Sequence, residues 1–327
     1  MSLAADYASL RERAGIGSIG SRRQIAVAGG ERASYLQGLL TNDIQGLTAG
    51  SGCYSAWLTP QGRMLTDMHV LESGDMLLLD LPADQAGPTL ERLDQFLFGE
   101  DVQLALLDDG LTGVWLHGPA AGAILAAVFS GLDDISAWPS YRSLKTSLQG
   151  EPVVVARIDQ LGVPGFVVYL SPLIEPSLQA ALREAGAAPV GKEAIEALRI
   201  EARYPLFGVD MTDDTIPLEA GIEARAVSFS KGCYVGQEVI IRVLHRGHGR
   251  VARRLVGLQV EGAPPAGGAR VFAADRDIGF VTSAAESPRL GAIALGYLHR
   301  DFVNPGTAVR VRSNGSDAAA TVTERAS

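Results

Sequence analysis

The sequence predicts an α+β protein that ends in a small all-β domain. Up to about residue 247, strand-like and helical segments alternate without a strict βαβ rhythm. From Arg254 onward we find only short strand-like segments, at 255–260, 270–272, 278–282, 292–298 and 309–312, separated by turns rich in Gly and Pro. Five or six short strands at this spacing are typical of a closed or sandwich β domain, so we place the domain boundary at 247–254.

The elements before that boundary follow from hydrophobic periodicity and turn residues. A strand at 24–28 ends at Gly29-Gly30, and Ala33, Leu36 and Leu40 then repeat at helical spacing. The segment 64–71 alternates like a strand, which places Met64, Met68 and Val70 on one face and Leu65, Asp67, His69 and Leu71 on the other. Further strands are predicted at 75–81, 102–107, 113–116, 153–158 and 166–170, and further helices at 88–98, 120–129, 173–184 and 192–202.

Length and composition are typical of a globular protein of two or three domains. The chain has 327 residues, longer than a single hydrophobic core usually supports. Its formal net charge of −9 gives no overall attraction to nucleic acid or to an anionic membrane. No apolar run is long enough to span a membrane, and the first residues lack the features of a signal peptide. With only Cys53 and Cys233 as cysteines, the expected location is the reducing cytoplasm.

The most unusual segment is the octapeptide Lys-Gly-Cys-Tyr-Val-Gly-Gln-Glu at 231–238. Two glycines flank the cysteine and an apolar run follows, which predicts a turn leading into a helix. A thiol near a helix N-terminus and close to Lys231 is expected to ionise easily, as reactive or ligating cysteines do. The alternative is a small cysteine buried in a tight turn for packing. Both interpretations of Cys233 stay open at this point.

A basic segment surrounds the octapeptide. Between Arg225 and Arg254 only Glu238 is acidic, and the basic residues are Arg225, Lys231, Arg242, Arg246, Arg250, Arg253 and Arg254. Such a segment in an acidic protein favours a local anionic partner, although a solvated surface is the usual role of a charge run. Cys233, His245 and His248 do not match a common zinc spacing, so no metal site is predicted.

Two carboxylates are candidates for ligand binding. Glu201 follows Leu198 at the edge of the apolar stripe of helix 192–202, where a carboxylate requires hydrogen-bond donors. A pterin ring offers two N–H donors on one edge, but the sequence alone favours a surface glutamate paired with Arg199 or Arg203. Asp67 lies within a strand, where aspartate is disfavoured unless it has a partner or lines a cavity. It is thus a candidate for orienting or protonating a ligand.

The octapeptide resembles the signature of the YgfZ family of folate-binding, iron–sulfur-maintenance proteins, which belongs to the glycine-cleavage T-protein superfamily. The resemblance also covers residues 27–43, 198–203, 205–210, 216–219, 279–283, 287–288 and 293–297. It implies two interleaved lobes and a C-terminal β-barrel, arranged like a clover around a folate channel. The first lobe would comprise 1–50 with 112–190, the second 51–111 with 191–250, and the barrel 251–327.

The resemblance also implies site residues. Glu201 corresponds to the glutamate that holds the pterin of tetrahydrofolate, and Asp67 to the second aspartate of the catalytic pair, where Thr66 replaces the first. Lys231 lies near the position that binds the glutamate tail of the folate. The motif residues are Lys231, Gly232, Cys233, Tyr234, Gly236, Gln237 and Glu238.

Three functions follow from these observations. The first is a tetrahydrofolate-binding factor in iron–sulfur cluster assembly or repair, with iron–sulfur client or assembly proteins as partners and tRNA thiolation enzymes among the clients. The second is an aminomethyltransferase that moves a lipoyl-bound aminomethyl group to tetrahydrofolate, which retention of Asp67 permits. The third, an RNA-binding module that uses the basic segment, is opposed by the net charge. No stable nucleic-acid complex and no membrane association are expected.

Overall fold

The computed structural model describes residues 2–107, 110–245 and 250–324, without the side chain of residue 245. The described helices are α1 (Leu3–Glu12), α2 (Arg32–Leu39), α3 (Ala83–Asp94), α4 (Ala121–Val128), α5 (Glu175–Glu184), α6 (Lys192–Glu201), α7 (Pro217–Ala220), α8 (Glu223–Ala226) and α9 (Gln237–His245). The strands before the C-terminal domain are β1 (Gly15–Ile16), β2 (Arg22–Ala28), β3 (Gly52–Leu58), β4 (Met64–Glu72), β5 (Met76–Pro82), β6 (Gln103–Leu106), β7 (Thr112–His117), β8 (Ser143–Leu148), β9 (Glu151–Arg157), β10 (Gly165–Leu170) and β11 (Ala188–Pro189).

Two sheets form the larger part of the molecule. The first has six strands in the order β11-β1-β7-β10-β9-β8, and the second has five in the order β3-β4-β5-β2-β6. Helices α4 and α5 cover the outer face of the first sheet, while α2 and α3 cover that of the second. The inner faces meet where Leu71 and Leu78 contact Trp115, Val167 and Tyr169. Polar side chains that point inward are therefore enclosed between two sheets.

The sheet pairing divides the chain differently from the predicted lobes. Strand β2 pairs with β5 and β6, so Arg22–Ala28 belongs to the five-stranded sheet. Strand β1 pairs with β7 and β11 across long stretches of chain, so the six-stranded sheet takes strands from separate parts of the sequence. The first stretch of chain in this sheet lies before residue 22, whereas the predicted lobe extends to roughly residue 50. Sequence periodicity identifies β2 as a strand but contains no information about its partner.

A β-bulge in β4 changes which residues face the interior. Trp57 pairs with Thr66 and Leu58 with Met64, which leaves Leu65 as the extra residue. Met64 therefore joins the inward face with Tyr54 and Ala56, and Leu65 packs toward α3. The alternation in the sequence had predicted the opposite faces for Met64 and Leu65.

The C-terminal domain is a closed barrel, which confirms the predicted α+β class with a terminal β-barrel. Its strands are β12 (Arg253–Val260), β13 (Arg270–Ala273), β14 (Arg276–Ser287), β15 (Gly291–His299), β16 (Ala308–Ser313) and β17 (Ser316–Val322). They are hydrogen-bonded in the order β12-β15-β14-β13-β16-β17. Closure removes the exposed edges that a short open sheet would have.

Helix α6 joins the barrel to the rest of the chain through a buried ion pair. Arg199 Nη1 lies 2.7 Å from Asp210 Oδ2, and both side chains are fully buried. Asp210 Oδ1 accepts hydrogen bonds from the hydroxyls of Thr282 and Ser283 on β14. One carboxylate thus connects α6 and the barrel. Among the described residues, no helix is both long and apolar enough to cross a membrane.

Candidate functional site

Asp67 lies in the middle of β4 and points between the two sheets. Its side chain is only 4% exposed. The hydroxyl of Tyr54, on the neighbouring strand β3, donates a hydrogen bond of 2.6 Å to Asp67 Oδ2. The other oxygen, Oδ1, is buried and has no hydrogen-bond partner. A buried, unpaired carboxylate oxygen is costly in free energy and is therefore a candidate for contact with a ligand.

The charges around Asp67 act against each other. Burial raises the pKa of the carboxyl above its ordinary value, whereas Arg22, the Tyr54 hydroxyl and Arg225 lower it. Arg22 is itself paired with Asp80 at 2.7 Å. Asp67 therefore holds a proton more readily than a surface aspartate, while two guanidinium groups still support its charged form.

Arg225 enters the same region from helix α8. Its guanidinium lies 4.1 Å from the ring centre of Tyr204 and 4.9 Å from that of Tyr54. These are cation–π distances, and they hold the guanidinium beside two aromatic rings. Arg225 Nε is buried without a hydrogen-bond partner. The sequence singled out Arg225 only as one cation among several.

His69 and Gln160 complete this group. The amide nitrogen of Gln160 lies 3.0 Å from His69 Nε2 and 3.4 Å from the hydroxyl of Tyr204. His69 Nδ1 and Gln160 Oε1 are buried and unpaired. Burial, together with the charges of Arg22 and Arg225, lowers the pKa of His69 well below its ordinary value. The imidazole is therefore neutral at physiological pH.

We call these side chains the central polar cluster: Tyr54, Asp67, His69, Gln160, Tyr204 and Arg225. Four buried polar atoms of the cluster have no hydrogen-bond partner. Two are nitrogens, His69 Nδ1 and Arg225 Nε, and two are oxygens, Asp67 Oδ1 and Gln160 Oε1. The guanidinium of Arg225 lies over the rings of Tyr54 and Tyr204 beside them. This combination suits a heteroaromatic ligand with hydrogen-bonding edges. Sequence reasoning missed Gln160 and Tyr204, because polar residues in loops are common; His69 was detectable from its place two residues after Asp67.

The structure places Glu201 at the junction of α1, α6 and the barrel rather than in the central polar cluster. Tyr7 donates to both carboxylate oxygens, at 2.9 and 3.1 Å. Ser287 and Arg289 of the barrel also donate to Glu201, the latter at 2.7 Å. Neither Arg199 nor Arg203 is the partner: Arg199 binds Asp210 and Glu196, and Arg203 binds Thr323. A pterin would have to replace one of these contacts to bind Glu201.

Lys231 anchors the octapeptide to the end of helix α2. Its ammonium donates to the backbone carbonyls of Gln37, Leu40 and Asn42 at 2.6, 2.6 and 2.9 Å. The partly buried position lowers the pKa of the ammonium to about 8. Because Lys231 has these three acceptors, contact with a folate tail would require it to leave them. Its binding of the tail stays a prediction.

The thiol of Cys233 is exposed, unlike that of Cys53. The packing interpretation of Cys233 is therefore wrong, because a side chain in solvent contributes little to a core. The predicted turn into a helix is present, since α9 starts at Gln237, with Glu238 in its first turn. The peptide N–H of Val235 donates to Gly38 O, and Tyr234 packs in the core beneath the loop. The octapeptide is thus anchored on both sides of an exposed cysteine next to Gly232.

The basic segment does not form one surface. Arg225 is part of the central polar cluster, Lys231 binds carbonyls, and Arg253 pairs with Glu219 at 3.3 Å while lying over Tyr297. Arg246 and His248 lie outside the described residues, as does the side chain of His245. Among the described residues no group of three or more His, Cys, Asp or Glu is arranged to hold a metal ion. Cations that are neighbours in the sequence therefore lie in different parts of the tertiary structure.

Family models match nearly the whole chain. Residues 1–231 match the GCVT N-terminal domain, and residues 253–326 match the glycine cleavage T-protein C-terminal barrel domain. The aminomethyltransferase of Rubrobacter xylanophilus is 33% identical over 90% of this chain and 78% of its own length. That of Synechococcus elongatus is 32% identical over 98% of this chain and 86% of its own. The glycine cleavage system aminomethyltransferase T of Bartonella henselae has a similar structure, with a TM-score of 0.87 and 26% identity over 99% of this chain and 88% of that one.

These comparisons contradict the predicted role in iron–sulfur cluster assembly or repair. That prediction depended on eight residues, whereas aminomethyltransferases match the chain over most of its length. The prediction erred because a short motif on an anchored loop describes a local structure and not the reaction at a site elsewhere in the fold. The comparisons favour the alternative, aminomethyl transfer.

Proposed function

Since the chain belongs to the glycine-cleavage T-protein family, we propose that it is a tetrahydrofolate-dependent aminomethyltransferase. The observation that carries the proposal is the central polar cluster, in which Asp67 keeps one buried carboxylate oxygen unpaired. The relatives with this name match the chain at up to 98% of its length. Tetrahydrofolate is a substrate in this reaction, and the lipoyl-bound aminomethyl group is the other.

The residues of the cluster fit a reduced folate. The edges of its bicyclic ring system carry both hydrogen-bond donors and acceptors. The unpaired atoms of Asp67, His69, Gln160 and Arg225 include both kinds of partner. Filling these positions would recover about 1–3 kcal/mol of desolvation free energy for each group that gains a bond. Glu201 and Lys231 remain predicted folate contacts that would exchange their present partners.

Asp67 is suited to move protons during the transfer. In the transfer, the methylene carbon forms bonds to two folate nitrogens, and each nitrogen releases a proton. The amine leaves as ammonia and the lipoyl sulfur leaves as a thiol, and each of these groups takes up a proton. The transfer is therefore balanced without an external oxidant or reductant, but protons must pass between groups. The raised pKa of Asp67, caused by burial, suits a carboxyl that takes up a proton and returns it. Oδ1, the unpaired oxygen, is the atom assigned to this role.

Replacing Asp67 by asparagine tests this proposal. Asn keeps the shape of the side chain and can accept from Tyr54, but it then presents an N–H group in place of Oδ1, so we expect the affinity for tetrahydrofolate to fall by up to about 100-fold. The turnover number should fall by roughly 10²–10⁴, the usual contribution of a general acid–base. Calorimetry with tetrahydrofolate and an assay of ammonia release from an aminomethyl-loaded lipoyl carrier measure the two quantities.

Asp75→Asn is the matched control, because Asp75 lies in the same β4–β5 hairpin but pairs with Lys145 at the surface. This variant should have wild-type turnover. In the wild type, turnover should decline at acid pH with an apparent pKa above the ordinary 3.8 of aspartate, since protonation removes the base. A wild-type protein that binds no tetrahydrofolate at millimolar concentration would disprove the proposed function.

The octapeptide supports a second proposal, which concerns the subgroup of the family to which the chain belongs. Residues 231–238 resemble the signature of the YgfZ family, and we propose that they mark a subgroup of this family in which Cys233 faces solvent. What supports it is the exposed thiol on a loop that Lys231 and Tyr234 anchor. Both cysteines are free thiols, which supports a reducing location such as the cytoplasm.

A further inference from the structure

The two ring nitrogens of His69 differ in their hydrogen bonding: Nε2 contacts Gln160, whereas Nδ1 has no partner. In the amide orientation of the structure, Gln160 Nε2 lies 3.0 Å from His69 Nε2 and donates to it, so His69 Nε2 is the acceptor. The proton of the neutral imidazole must then be on Nδ1. That N–H group is buried and has no partner in the protein.

The surroundings keep the imidazole neutral. The titratable and charged groups around it are Arg22 on β2, Tyr54 on β3, Asp67 on β4, Asp80 on β5, Tyr141 before β8, Tyr204 after α6 and Arg225 on α8, and Asp80 is paired with Arg22. Two of these are cations that oppose a third positive charge, and burial opposes any charge. The carboxylate of Asp67 accepts from Tyr54 through Oδ2 and balances those cations. His69 is thus built as a hydrogen-bond donor and not as an acid–base group.

We propose, on the basis of the proposed function, that His69 is a specificity-determining residue that donates its Nδ1–H to an acceptor on the folate ring system. Gln160 is the positioning residue that sets the tautomer of His69. The chemistry recognised is a neutral carbonyl oxygen or unprotonated ring nitrogen. A protonated nitrogen at the same place would meet the donor and be rejected. Asp67 and His69 lie on one face of β4 and so present an acceptor and a donor to the same ligand.

The same geometry determines how replacement of His69 affects stability. His69→Leu keeps a similar volume among the aromatic neighbours Tyr54, Trp115 and Tyr141. Loss of the unpaired Nδ1–H is favourable, but the buried amide of Gln160 loses its acceptor, which is destabilising. We therefore expect the variant to fold with a modestly lower melting temperature, and its ligand binding is measured below that temperature.

The test compares His69→Leu with His69→Asn by calorimetry, using tetrahydrofolate with a reductant present. The amide nitrogen of asparagine takes the place of imidazole Nδ1 and restores a donor, whereas leucine leaves the ligand acceptor unpaired. We expect the dissociation constant to rise roughly ten- to hundredfold for His69→Leu and less than about fivefold for His69→Asn. Wild-type affinity in a folded His69→Leu variant would overturn the proposal.

A second measurement separates this inference from the proposed function. ¹⁵N NMR of the ligand-free wild type should show His69 as the Nδ1–H tautomer between pH 6 and 8, and Gln160→Met should lose that preference. An Nε2–H tautomer or a charged ring in the wild type would refute the assignment even if folate binds. Conversely, wild-type protein that shows the Nδ1–H tautomer but binds no folate would refute the proposed function, and with it the role of His69 toward folate.

Discussion

Lys231 allows a direct comparison between a structural role and a ligand-binding role. The perturbation is Lys231→Met, which keeps the aliphatic stem and removes the ammonium. In the folded protein this group donates to three backbone carbonyls that follow or end helix α2, at 2.6, 2.6 and 2.9 Å. Its loss leaves those carbonyls without that donor and releases the loop that carries Cys233.

The expected magnitude follows from these contacts. A charge-assisted hydrogen bond contributes about 1.5–3 kcal/mol, but three bonds that share one partly exposed ammonium do not add fully. We expect a loss of about 2–4 kcal/mol in the free energy of unfolding. For a cooperative unit of about 150–250 residues, this corresponds to a decrease of roughly 4–16 °C in Tm. The helix end, not the ligand site, should be affected first.

Thermal unfolding followed by circular dichroism measures the stability, and calorimetry with mono- and polyglutamylated tetrahydrofolate measures the ligand-binding role. Lys145→Met is the control, since Lys145 forms an exposed pair with Asp75 and should contribute less than about 1 kcal/mol. The structural assignment would be refuted by an unchanged Tm for Lys231→Met combined with a selective loss of affinity for the polyglutamylated ligand. That result would instead support the sequence-based prediction that Lys231 binds the folate tail.

Three further predictions concern the anchors of the fold and the octapeptide. Arg199→Met removes the cation paired with the buried carboxylate of Asp210 and should lower the free energy of unfolding by about 3–5 kcal/mol, measured by denaturant unfolding. The control Arg63→Met removes an exposed pair with Asp214 and should cost less than about 1 kcal/mol. Equal effects of the two variants would contradict the role of the buried pair. Gly236→Ala should destabilise the protein by about 1–3 kcal/mol, because φ at Gly236 is +84° and the new Cβ would lie 2.5 Å from Thr59 O. The control Gly232→Ala should leave stability unchanged, because its Cβ would meet no atom within 4 Å. Similar stability of both variants would show that the turn adapts to the new side chain. Cys233→Ser should melt within about 1 °C of wild type because the thiol is exposed, and a drop of several degrees would mean that the thiol is buried in solution.

Periodicity and turn chemistry determined much of the fold from the sequence. The predicted helix at 192–202 is α6 (Lys192–Glu201), and the strand at 64–71 is β4 (Met64–Glu72). The helix predicted at 88–98 instead starts at Ala83, with Pro88 inside it. Helix α1 and strands β3 and β17 were missed, since α1 has weak amphipathicity and the strands lack regular alternation. Local patterns report local backbone preference, which is why boundaries and short strands were the least accurate.

The candidate site was predictable only in part. Asp67 was identifiable because a carboxylate within an apolar strand requires a partner, and that partner proved to be Tyr54 on the adjacent strand. Glu201 and Lys231 were identified as polar residues of interest, but the sequence could not indicate that Tyr7 and Arg289 bind one and the end of α2 binds the other.

By itself, the sequence determined the α+β class, the terminal barrel, the octapeptide turn and the need of Asp67 for a hydrogen-bond partner. Only the tertiary structure decided that β2 joins the five-stranded sheet, that the bulge at Leu65 turns Met64 inward, and that His69 meets Gln160. The physical reason is that hydrogen-bond satisfaction between residues 91 positions apart depends on how two sheets pack, and no local pattern encodes that packing. The unpaired Nδ1–H of His69 therefore became visible only when both sheets were in place.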